Sequence, residues 1–370
     1  MKKVRKLRPI LAIATLLAVL IASVPVFGAG WTLDSDTEFY VAKRNQGAIE
    51  QIADLISSGD KASAYLIEEM INIPQSVWFT AGAPHRVQQD VKNTVKRAAG
   101  KETVPVLVAY NLPFRDCAQF SAGGATTVQE YMDWIDGFAA GIGDEKAMVI
   151  LEPDGLGIIP WYKQFRGLPS EGGYEWCQPA EADEATAADE RFEMLNYAVD
   201  ALKAQPNVLV YLDGTHSSWL GSGDAAHRLA QAGIERADGF YLNVSNYRLT
   251  EHLEKYGTWI SKCIWFATDP GSWGNGHFDW CASQYHPATP NDFSTWVLTD
   301  QWYADNVESQ TWVPYPGDAG LTRFVIDTSR NGQGPWTPTA SYPDPQDWCN
   351  PPGRGLGLLP TADTGNALID

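Results

Sequence analysis

VILEPD, residues 149–154, is a short apolar run that ends in a proline and an acid. The run predicts a buried strand, and Pro153 marks its end because proline cannot donate a hydrogen bond to a β-ladder. An acid just beyond the carboxyl end of a strand lies where α/β folds place their chemistry. Taken alone, Asp154 is more simply interpreted as a cap of the next element. The functional interpretation therefore depends on how the other strands end.

Strand and helix patterns alternate along the rest of the chain. Besides 147–151, short apolar runs predict strands at 77–79, 104–110, 208–212, 239–243 and 323–327. Between them, apolar residues spaced three or four apart predict helices at 48–58, 61–72, 87–99, 131–142, 192–202 and 225–234. This alternation predicts a parallel α/β barrel or sheet, in a single domain that covers residues 31–370.

Two long segments interrupt the alternation, residues 155–180 and roughly 250–320. The first is rich in Gly, Pro and Trp, and the second in Trp, Pro and Asp. Connections of this length are uncommon, so both are expected to be functional loops or lids. The second segment contains Cys263 and Cys281, which are close enough in sequence to staple a loop to itself.

The first thirty residues have the pattern of a secretion signal. Five basic residues precede an apolar run at 10–27, and the small residues 28–30 offer a cleavage point. An uncleaved membrane anchor is the alternative. Without this segment, 22 basic residues stand against 45 acidic ones, which disfavours nucleic acid and anionic lipid as partners. We expect a secreted, extracellular protein that has no membrane association after cleavage.

The composition favours a neutral, ring-shaped ligand. The chain contains 15 Trp and 15 Tyr, more than a core of this size needs, and flat aromatic faces suit sugar rings. Ordinary burial accounts for many of these residues. The chain also contains five cysteines, which in an exported protein suggest disulfides. An odd number cannot pair completely within one chain.

Polar side chains follow four of the predicted strands. They are Tyr110 to Cys117, Glu152 and Asp154, Asp213 to Trp219, and Asn243 to Tyr247. In a parallel sheet these groups gather at one rim. Several carboxylates among aromatics and amides suit cleavage of a glycosidic bond, which needs one protonated acid and a second group that activates water or attacks carbon. Crowded negative charges raise the pKa of one acid and keep it protonated.

Other chemistries have weaker support in the sequence. No His-Glu-x-x-His pair and no zinc-like His/Cys spacing is present, and no Gly-x-Ser-x-Gly motif. The glycines at 353–357 do not follow a strand as a dinucleotide loop requires, and are interpreted as a turn. His216 is more often a hydrogen-bonding residue than a metal ligand. We therefore expect no metal and no cofactor.

Six blocks in order resemble the glycoside hydrolase family 6 cellulases. They are VAYNLPFRDC at 108–117, ILEPD at 150–154, YLDGTHSSW at 211–219, NVSNY at 243–247, IDTSRNG at 326–332 and WCNP at 348–351. The resemblance covers about residues 73–370. It implies a distorted TIM-like barrel and inverting hydrolysis of β-1,4-glucan without a cofactor.

The resemblance also implies roles for individual residues. Asp154 resembles the general acid, Asp116 the carboxylate that keeps it protonated and orders water, Tyr110 a tyrosine pressed against the sugar, and Arg115 the partner of these acids. Sugar-binding or supporting roles fall on Asp213, His216, Trp219 and Asn246, with Asn243 as the alternative amide, and stacking roles on Trp78 and Trp348. The implied disulfides are Cys117–Cys177 and Cys263–Cys281.

The sequence departs from the family pattern at its end. Family members continue past a stretch like Thr364–Asp370 into a final strand that carries a Lys and then a candidate catalytic base. The partner of Cys349 is expected in the same region. The resemblance thus leads us to expect a truncated chain that lacks the final strand, is unstable and is nearly inactive.

The mode of action depends on the two long segments. Loops of this length would roof the cleft into a tunnel, so we expect exo-acting release of cellobiose from a cellulose chain, as in a cellobiohydrolase. An endo-β-1,4-glucanase with an open cleft is the alternative, and a non-catalytic glucan-binding protein is a second one. The expected partner is cellulose or a β-1,4-glucan chain, bound by a monomer.

Overall fold

The centre of the molecule is a six-stranded parallel sheet. The computed structural model describes residues 31–163, 165, 173–336, 349 and 351–370. The strands are β1 (Val77–Phe79), β2 (Val106–Ala109), β3 (Ala147–Leu151), β4 (Val208–Asp213), β5 (Gly239–Leu242) and β6 (Arg323–Ile326). Each pairs in parallel with the next in chain order. All six strands predicted from the sequence are therefore confirmed, as is the parallel α/β class.

Helices connect the strands. They are α1 (Gln46–Ser58), α2 (Lys61–Met70), α3 (Pro84–Ala99), α4 (Val128–Ile142), α5 (Ala187–Lys203), α6 (Ser222–Gln231), α7 (Thr250–Thr268) and α8 (Val297–Tyr303). Capping residues fix several of their starts. In α4, for example, the Thr127 side chain accepts a hydrogen bond from the N–H of Glu130 at 3.1 Å, which satisfies a donor that the helix leaves unpaired.

The two faces of the sheet belong to two apolar clusters. One face packs against the helices, and its cluster includes Leu107, Val149, Val210 and Phe240. Alternate residues point to the opposite face, as the two-residue period of a strand requires. That inner cluster draws Val108, Tyr110, Met148, Ile150, Leu209, Tyr211, Tyr241 and Val325 from five strands.

The sheet is curled around this inner cluster. A cavity of about 670 Å³ is lined by residues of both edge strands, among them Trp78 of β1 and Val325 of β6. Opposite edges of a flat sheet could not line one cavity, so the strands curve as in a barrel. This is the distorted, TIM-like architecture that the resemblance implied. Beyond β6, Ile369 adds an isolated parallel bridge to Phe324.

The prediction of a long loop over residues 250–320 was wrong for its beginning, and α8 (Val297–Tyr303) also lies within it. Residues 250–268 form α7, whose buried face includes Leu253, Tyr256, Ile260 and Cys263. These residues are spaced three or four apart, which was the available signal. The aromatic, β-branched and glycine residues between them have low helix propensity, which obscured this periodicity. Tertiary burial stabilises the helix, with Gly257 directly against the ring of Phe324.

Both expected disulfides are present, Cys117–Cys177 and Cys263–Cys281. The second does not staple a loop to itself, because Cys263 belongs to α7 and Cys281 to the segment after it. The disulfide therefore holds that segment against the helix. In the part of the chain that the structure describes, no helix is both long enough and apolar enough to cross a membrane. The predicted secretion signal, residues 1–30, lies outside the described residues.

Candidate active site

The carboxyl ends of the strands share an unusual backbone conformation. Non-glycine residues in the loops that follow β2 to β5 adopt left-handed φ angles of 49° to 72°, namely Phe114, Asp116, Cys117, Ala118, Glu152, Asp154, Thr215, Asn243 and Ser245. Such residues are disfavoured energetically and persist only where their surroundings hold them in place. Their concentration at one rim indicates that these loops have a function beyond joining one element to the next.

Glu152 is the most deeply buried acid of this rim. Its carboxylate accepts hydrogen bonds from the backbone N–H of Asn111 at 2.8 Å and of Leu112 at 3.1 Å. Burial raises the pKa of Glu152 to about 7, although the two N–H groups and the nearby Arg191 oppose the shift. Glu152 therefore ties the loop after β3 to the loop after β2, and its carboxylate is buried away from solvent.

Arg191 also connects the loops after β2 and β3. It is a fully buried residue of α5, and its guanidinium donates to the carbonyls of Pro113 at 2.9 Å, Gly155 at 2.8 Å and Ile158 at 2.7 Å. This role of Arg191 was not predicted from the sequence. The available signal was an arginine on the apolar face of a predicted helix, where a charge needs buried partners.

Asp154 differs from Glu152 in leaving its carboxyl group available. Its backbone carbonyl accepts from Ile158 N–H at 2.7 Å, but its side chain makes no hydrogen bond to any residue that the structure describes. Burial raises the pKa of Asp154, and the negative charges of Asp213 and Asp116 raise it further. A carboxyl group that stays protonated near neutral pH and is not engaged by the protein suits a general acid.

Asp116 and Arg115 lie on a short 3₁₀ turn after β2, residues Arg115–Ala118. Asp116 accepts from the N–H of Ser121 at 2.8 Å. The expectation that Arg115 pairs with the acids was wrong for the described residues. Its guanidinium donates instead to the carbonyls of Thr80 at 2.7 Å and Tyr110 at 2.6 Å. Arginine has several donors in a fixed plane, and backbone carbonyls occupy them here.

Tyr110 and Trp78 form the aromatic part of the rim. Their rings meet edge to face, with centroids 5.7 Å apart, and the Arg115 guanidinium lies over the Tyr110 ring at 4.7 Å. Tyr110 is buried, and burial followed by the charge of Asp154 raises its pKa. Its hydroxyl is therefore neutral. Trp78 is 40% exposed, which leaves part of its ring free for a ligand. Trp348 lies outside the described residues.

Asp213 is a supporting residue in this structure. It is buried and accepts hydrogen bonds from the N–H of Leu156 at 3.2 Å, Gly157 at 3.2 Å and Thr215 at 2.8 Å. Burial raises its pKa against these three donors. The negative charge of the enclosed Asp213 raises the pKa of Asp154. The Asp213 carboxylate is buried and engaged by these N–H groups, which favours the supporting role over sugar binding.

Trp219 and His216 follow Asp213 on the same loop. Trp219 packs directly on Gly157, where a Cβ atom would come within 2.7 Å of the indole, so only glycine fits there. His216 lies beside Trp219, with ring centroids 5.6 Å apart, and its Nδ1 accepts from the N–H of Ser218 at 3.2 Å. Burial lowers the pKa of His216 to about 3, so its ring is neutral.

The two amides after β5 have different surroundings. Asn243 is buried, donates to the carbonyl of Asp327 at 2.8 Å, and accepts from the N–H of Arg248 at 3.0 Å. Its polar atoms are thus used within the loops. Asn246 is partly exposed; its side-chain oxygen accepts from the N–H of Tyr247 at 2.9 Å, and its side-chain NH₂ donates to none of the described residues. Asn246 is therefore the amide with donors available to a ligand.

No group of three or more His, Cys, Asp or Glu side chains among the described residues is arranged to hold a metal ion. The rim is instead a set of acids, aromatics and one free amide around Asp154. This arrangement can deliver a proton and can bind a flat, hydroxyl-rich ring.

Comparisons with known proteins agree with this chemistry. The family model described as "Glycosyl hydrolases family 6" matches residues 34–370. "Endoglucanase A" of Thermobispora bispora is 30% identical over 364 residues, which cover 97% of this chain and 62% of that protein. "Probable 1,4-beta-D-glucan cellobiohydrolase C" of Aspergillus terreus is 28% identical over 319 residues, which cover 80% of this chain and 56% of that protein. The chain thus spans about three fifths of the length of these two curated relatives.

A solved structure extends the likeness to three dimensions. It is the endoglucanase Cel6 from Mycobacterium tuberculosis, in complex with a methyl-cellobiosyl-4-deoxy-4-thio-β-D-cellobioside. The two chains are 30% identical, the TM-score is 0.61, and the match covers 90% of this chain and 85% of the other.

Proposed function

The chain belongs to glycosyl hydrolases family 6, and on this basis we propose that it hydrolyses β-1,4-glucosidic bonds in cellulose with Asp154 as the general acid. The observation that carries the proposal is the unengaged carboxyl group of Asp154, whose pKa is raised by burial and by two neighbouring acids. The family resemblance inferred from the six sequence blocks is confirmed. The M. tuberculosis relative, with its bound cellobioside, supports a glucan as the ligand.

In the proposed reaction, Asp154 donates its proton to the glycosidic oxygen as the bond to the anomeric carbon breaks. Water attacks that carbon from the opposite face, which inverts its configuration, and the proton that this water loses passes to the further water that Asp116 orders. Asp116 contributes in two ways, since its negative charge keeps Asp154 protonated and its carboxylate orders that further water. The Tyr110 ring, held between Trp78 and the Arg115 guanidinium, lies against the sugar at the point of cleavage.

Substrate binding is proposed for the exposed aromatic and amide groups. Trp78 offers a partly exposed ring for stacking, and Asn246 and Trp219 contribute at the opposite side of the rim. Asp213, His216 and Asn243 support the loops rather than the sugar, because their polar atoms are buried or used internally. A stacking role for Trp348 stays a prediction.

Such a cleft allows cleavage either within a glucan chain or at its ends. A tunnel, and hence exo action, was expected from two long loops, but residues 250–268 of the second are the helix α7. The Cys263–Cys281 disulfide holds the following segment against that helix. Internal cleavage is therefore the mode that we favour. Release of cellobiose from chain ends is the second candidate, supported by the loop after β3 and by the named cellobiohydrolase relative.

The test of the proposed function uses carboxymethylcellulose and phosphoric-acid-swollen cellulose. We expect the native chain to release reducing sugar slowly, and Asp154→Ala to abolish this release while binding to insoluble cellulose persists. Asp36→Ala is the control, because Asp36 is exposed and lies far from the rim in sequence. A fast fall in viscosity indicates internal cleavage, and soluble cellobiose without a viscosity change indicates exo action. Binding without any turnover would identify a non-catalytic glucan-binding protein.

The proposal includes the setting of the reaction. Secretion is expected from the leader-like first thirty residues and from the insoluble substrate, which cannot enter a cell, and we further propose that the protein is a monomer. Detection of the protein in the culture medium tests export. Its elution volume in size-exclusion chromatography, compared with the mass of the exported chain after loss of residues 1–30, tests the oligomeric state.

A further inference from the structure

A small hairpin lies within the long segment that follows β3. Residues 161–163 pair with residues 174–177 in antiparallel fashion, through a bridge between Lys163 and Tyr174. The N–H of Trp161 donates to the carbonyl of Cys177 at 2.9 Å, and the N–H of Glu175 to the carbonyl of Tyr162 at 2.8 Å. The backbone of this segment is therefore regular where the sequence predicted only a loop.

The hairpin is anchored to the barrel on two sides. Cys177 forms a disulfide with Cys117 in the loop after β2. Glu175 forms an ion pair with the fully buried Arg228 of α6, which also binds Asp224 at 2.8 Å. The Arg228 guanidinium lies 4.4 Å from the ring centroid of Tyr162, on the other strand of the hairpin. Buried charges held by several partners resist displacement, so the hairpin has a fixed position.

Trp176 projects from this rigid hairpin into solvent. Glu175 points inward to Arg228, so the alternation of a strand directs Trp176 outward. Its side chain is 54% exposed and has no ring contact or hydrogen bond with any described residue. Single exposed apolar residues are common on protein surfaces. Trp176 is a more specific feature, because the hairpin that carries it is anchored on two sides while its ring is exposed.

The position of Trp176 relates it to the catalytic rim. The Cα atoms of Cys117 and Cys177 are 5.6 Å apart. Because consecutive Cα atoms are about 3.8 Å apart, the Cα of Trp176 lies within about 13 Å of the Cα of Asp116. Phe120, which is 63% exposed, precedes the Ser121 whose N–H binds Asp116. Exposed aromatic rings thus flank the disulfide beside the acids.

We propose that Trp176 is a sugar-stacking platform at the edge of the cleft, which binds a glucosyl unit of a β-1,4-glucan chain beyond those at the cleaved bond. This assignment rests on the proposed function and adds a binding position to it. A neutral glucan fits better than an anionic ligand, because Asp116 and Glu175 lie nearby and the chain carries a net charge of −18. A tryptophan face and the C–H surface of a pyranose combine apolar contact with little loss of conformational freedom.

The experiment measures binding of cellooligosaccharides from cellotriose to cellohexaose by titration calorimetry, in an Asp154→Ala background that prevents hydrolysis. We expect Trp176→Ala to weaken cellohexaose binding roughly 3- to 10-fold, as for the loss of one aromatic contact, and to leave the shortest bound oligosaccharide unaffected. Trp176→Phe should restore most of the loss. Trp312→Ala is the matched control, because Trp312 is 76% exposed and lies on the segment before β6.

The outcomes separate this proposal from the proposed function. The platform is overturned if Trp176→Ala binds every oligosaccharide as tightly as the parent protein, or if its affinity falls by the same factor at every length. It is also overturned if Trp312→Ala shows the same loss as Trp176→Ala. Length-dependent loss in a protein whose native form shows no turnover supports the platform and overturns the hydrolase. Failure of the native chain to bind any of these sugars overturns both. A midpoint of thermal unfolding for Trp176→Ala that equals that of the parent protein excludes a folding defect as the cause.

Discussion

Arg191→Met tests whether one buried arginine holds the catalytic loops together. The substitution keeps most of the apolar volume of the side chain but removes its charge and its donors. Three backbone carbonyls, those of Pro113, Gly155 and Ile158, then lose hydrogen bonds of 2.7 to 2.9 Å. Glu152 also loses the positive charge that opposes the rise of its pKa.

The size of the effect follows from these partners. Each buried carbonyl left without a donor costs about 1–3 kcal/mol, less where water or a neighbour replaces the bond. Removing one side of a buried charged arrangement typically costs about 3–5 kcal/mol. We therefore expect Arg191→Met to lower the free energy of unfolding by about 3–5 kcal/mol at pH 8. At pH 5 the loss should be smaller, because Glu152, with a pKa of about 7, is then protonated and needs no counter-charge.

The assay is urea unfolding followed by tryptophan fluorescence at both pH values, with the disulfides intact. Arg236→Met is the control, since Arg236 is an exposed arginine paired with Asp200 at 2.7 Å and its removal should cost less than about 1 kcal/mol. A loss below about 1 kcal/mol for Arg191→Met at pH 8, or a loss independent of pH, would refute the reasoning.

Three further predictions concern the acids and the second disulfide. Activity should fall on the alkaline side as Asp154 loses its proton, and Asp116→Asn should move that limb of the pH–rate profile to lower pH, because a negative neighbour that raises the pKa is removed. An unmoved limb would show that Asp116 has no such effect. Glu152 binds a proton more tightly in the folded state than at its ordinary pKa of 4.5. The free energy of unfolding should therefore fall as pH rises from about 4.5 to 7, by up to about 3 kcal/mol, and Glu152→Gln should flatten this dependence in denaturant titrations. Replacing Cys263 and Cys281 together by serine should cost about 3 kcal/mol, as for a closed loop of this length; an unchanged urea midpoint would contradict this.

The strands were predictable because their signal is local. Each of the six is a short apolar run, and strands covered on both faces need such runs regardless of what lies far away in the chain. Their parallel order followed from the helices between them. The helix α7 was missed because its aromatic, β-branched and glycine residues disfavour a helix locally, whereas burial against β6 and its neighbours stabilises it.

The site was predictable as a set of residues but not as an arrangement. Tyr110, Asp116 and Asp154 follow strands, so their common rim could be inferred. The hydrogen bonds of Glu152 to the loop after β2 join residues 40 and 41 positions apart, and those of Arg191 span up to 78 positions. No local pattern specifies such partners. The same holds for Arg115, which binds carbonyls where an ion pair was expected.

The sequence alone determined that acids, aromatics and amides would collect at the carboxyl ends of parallel strands, because strand runs and the residues that follow them are contiguous in the chain. Only the tertiary structure decided what each acid can do. Glu152 and Asp154 stand two residues apart, yet one is enclosed by backbone N–H groups and the other is left unengaged beside Asp213 and Asp116. Burial, hydrogen-bond donors and neighbouring charges set a pKa, and the donors of Glu152 and the charged neighbours of both acids come from distant parts of the chain.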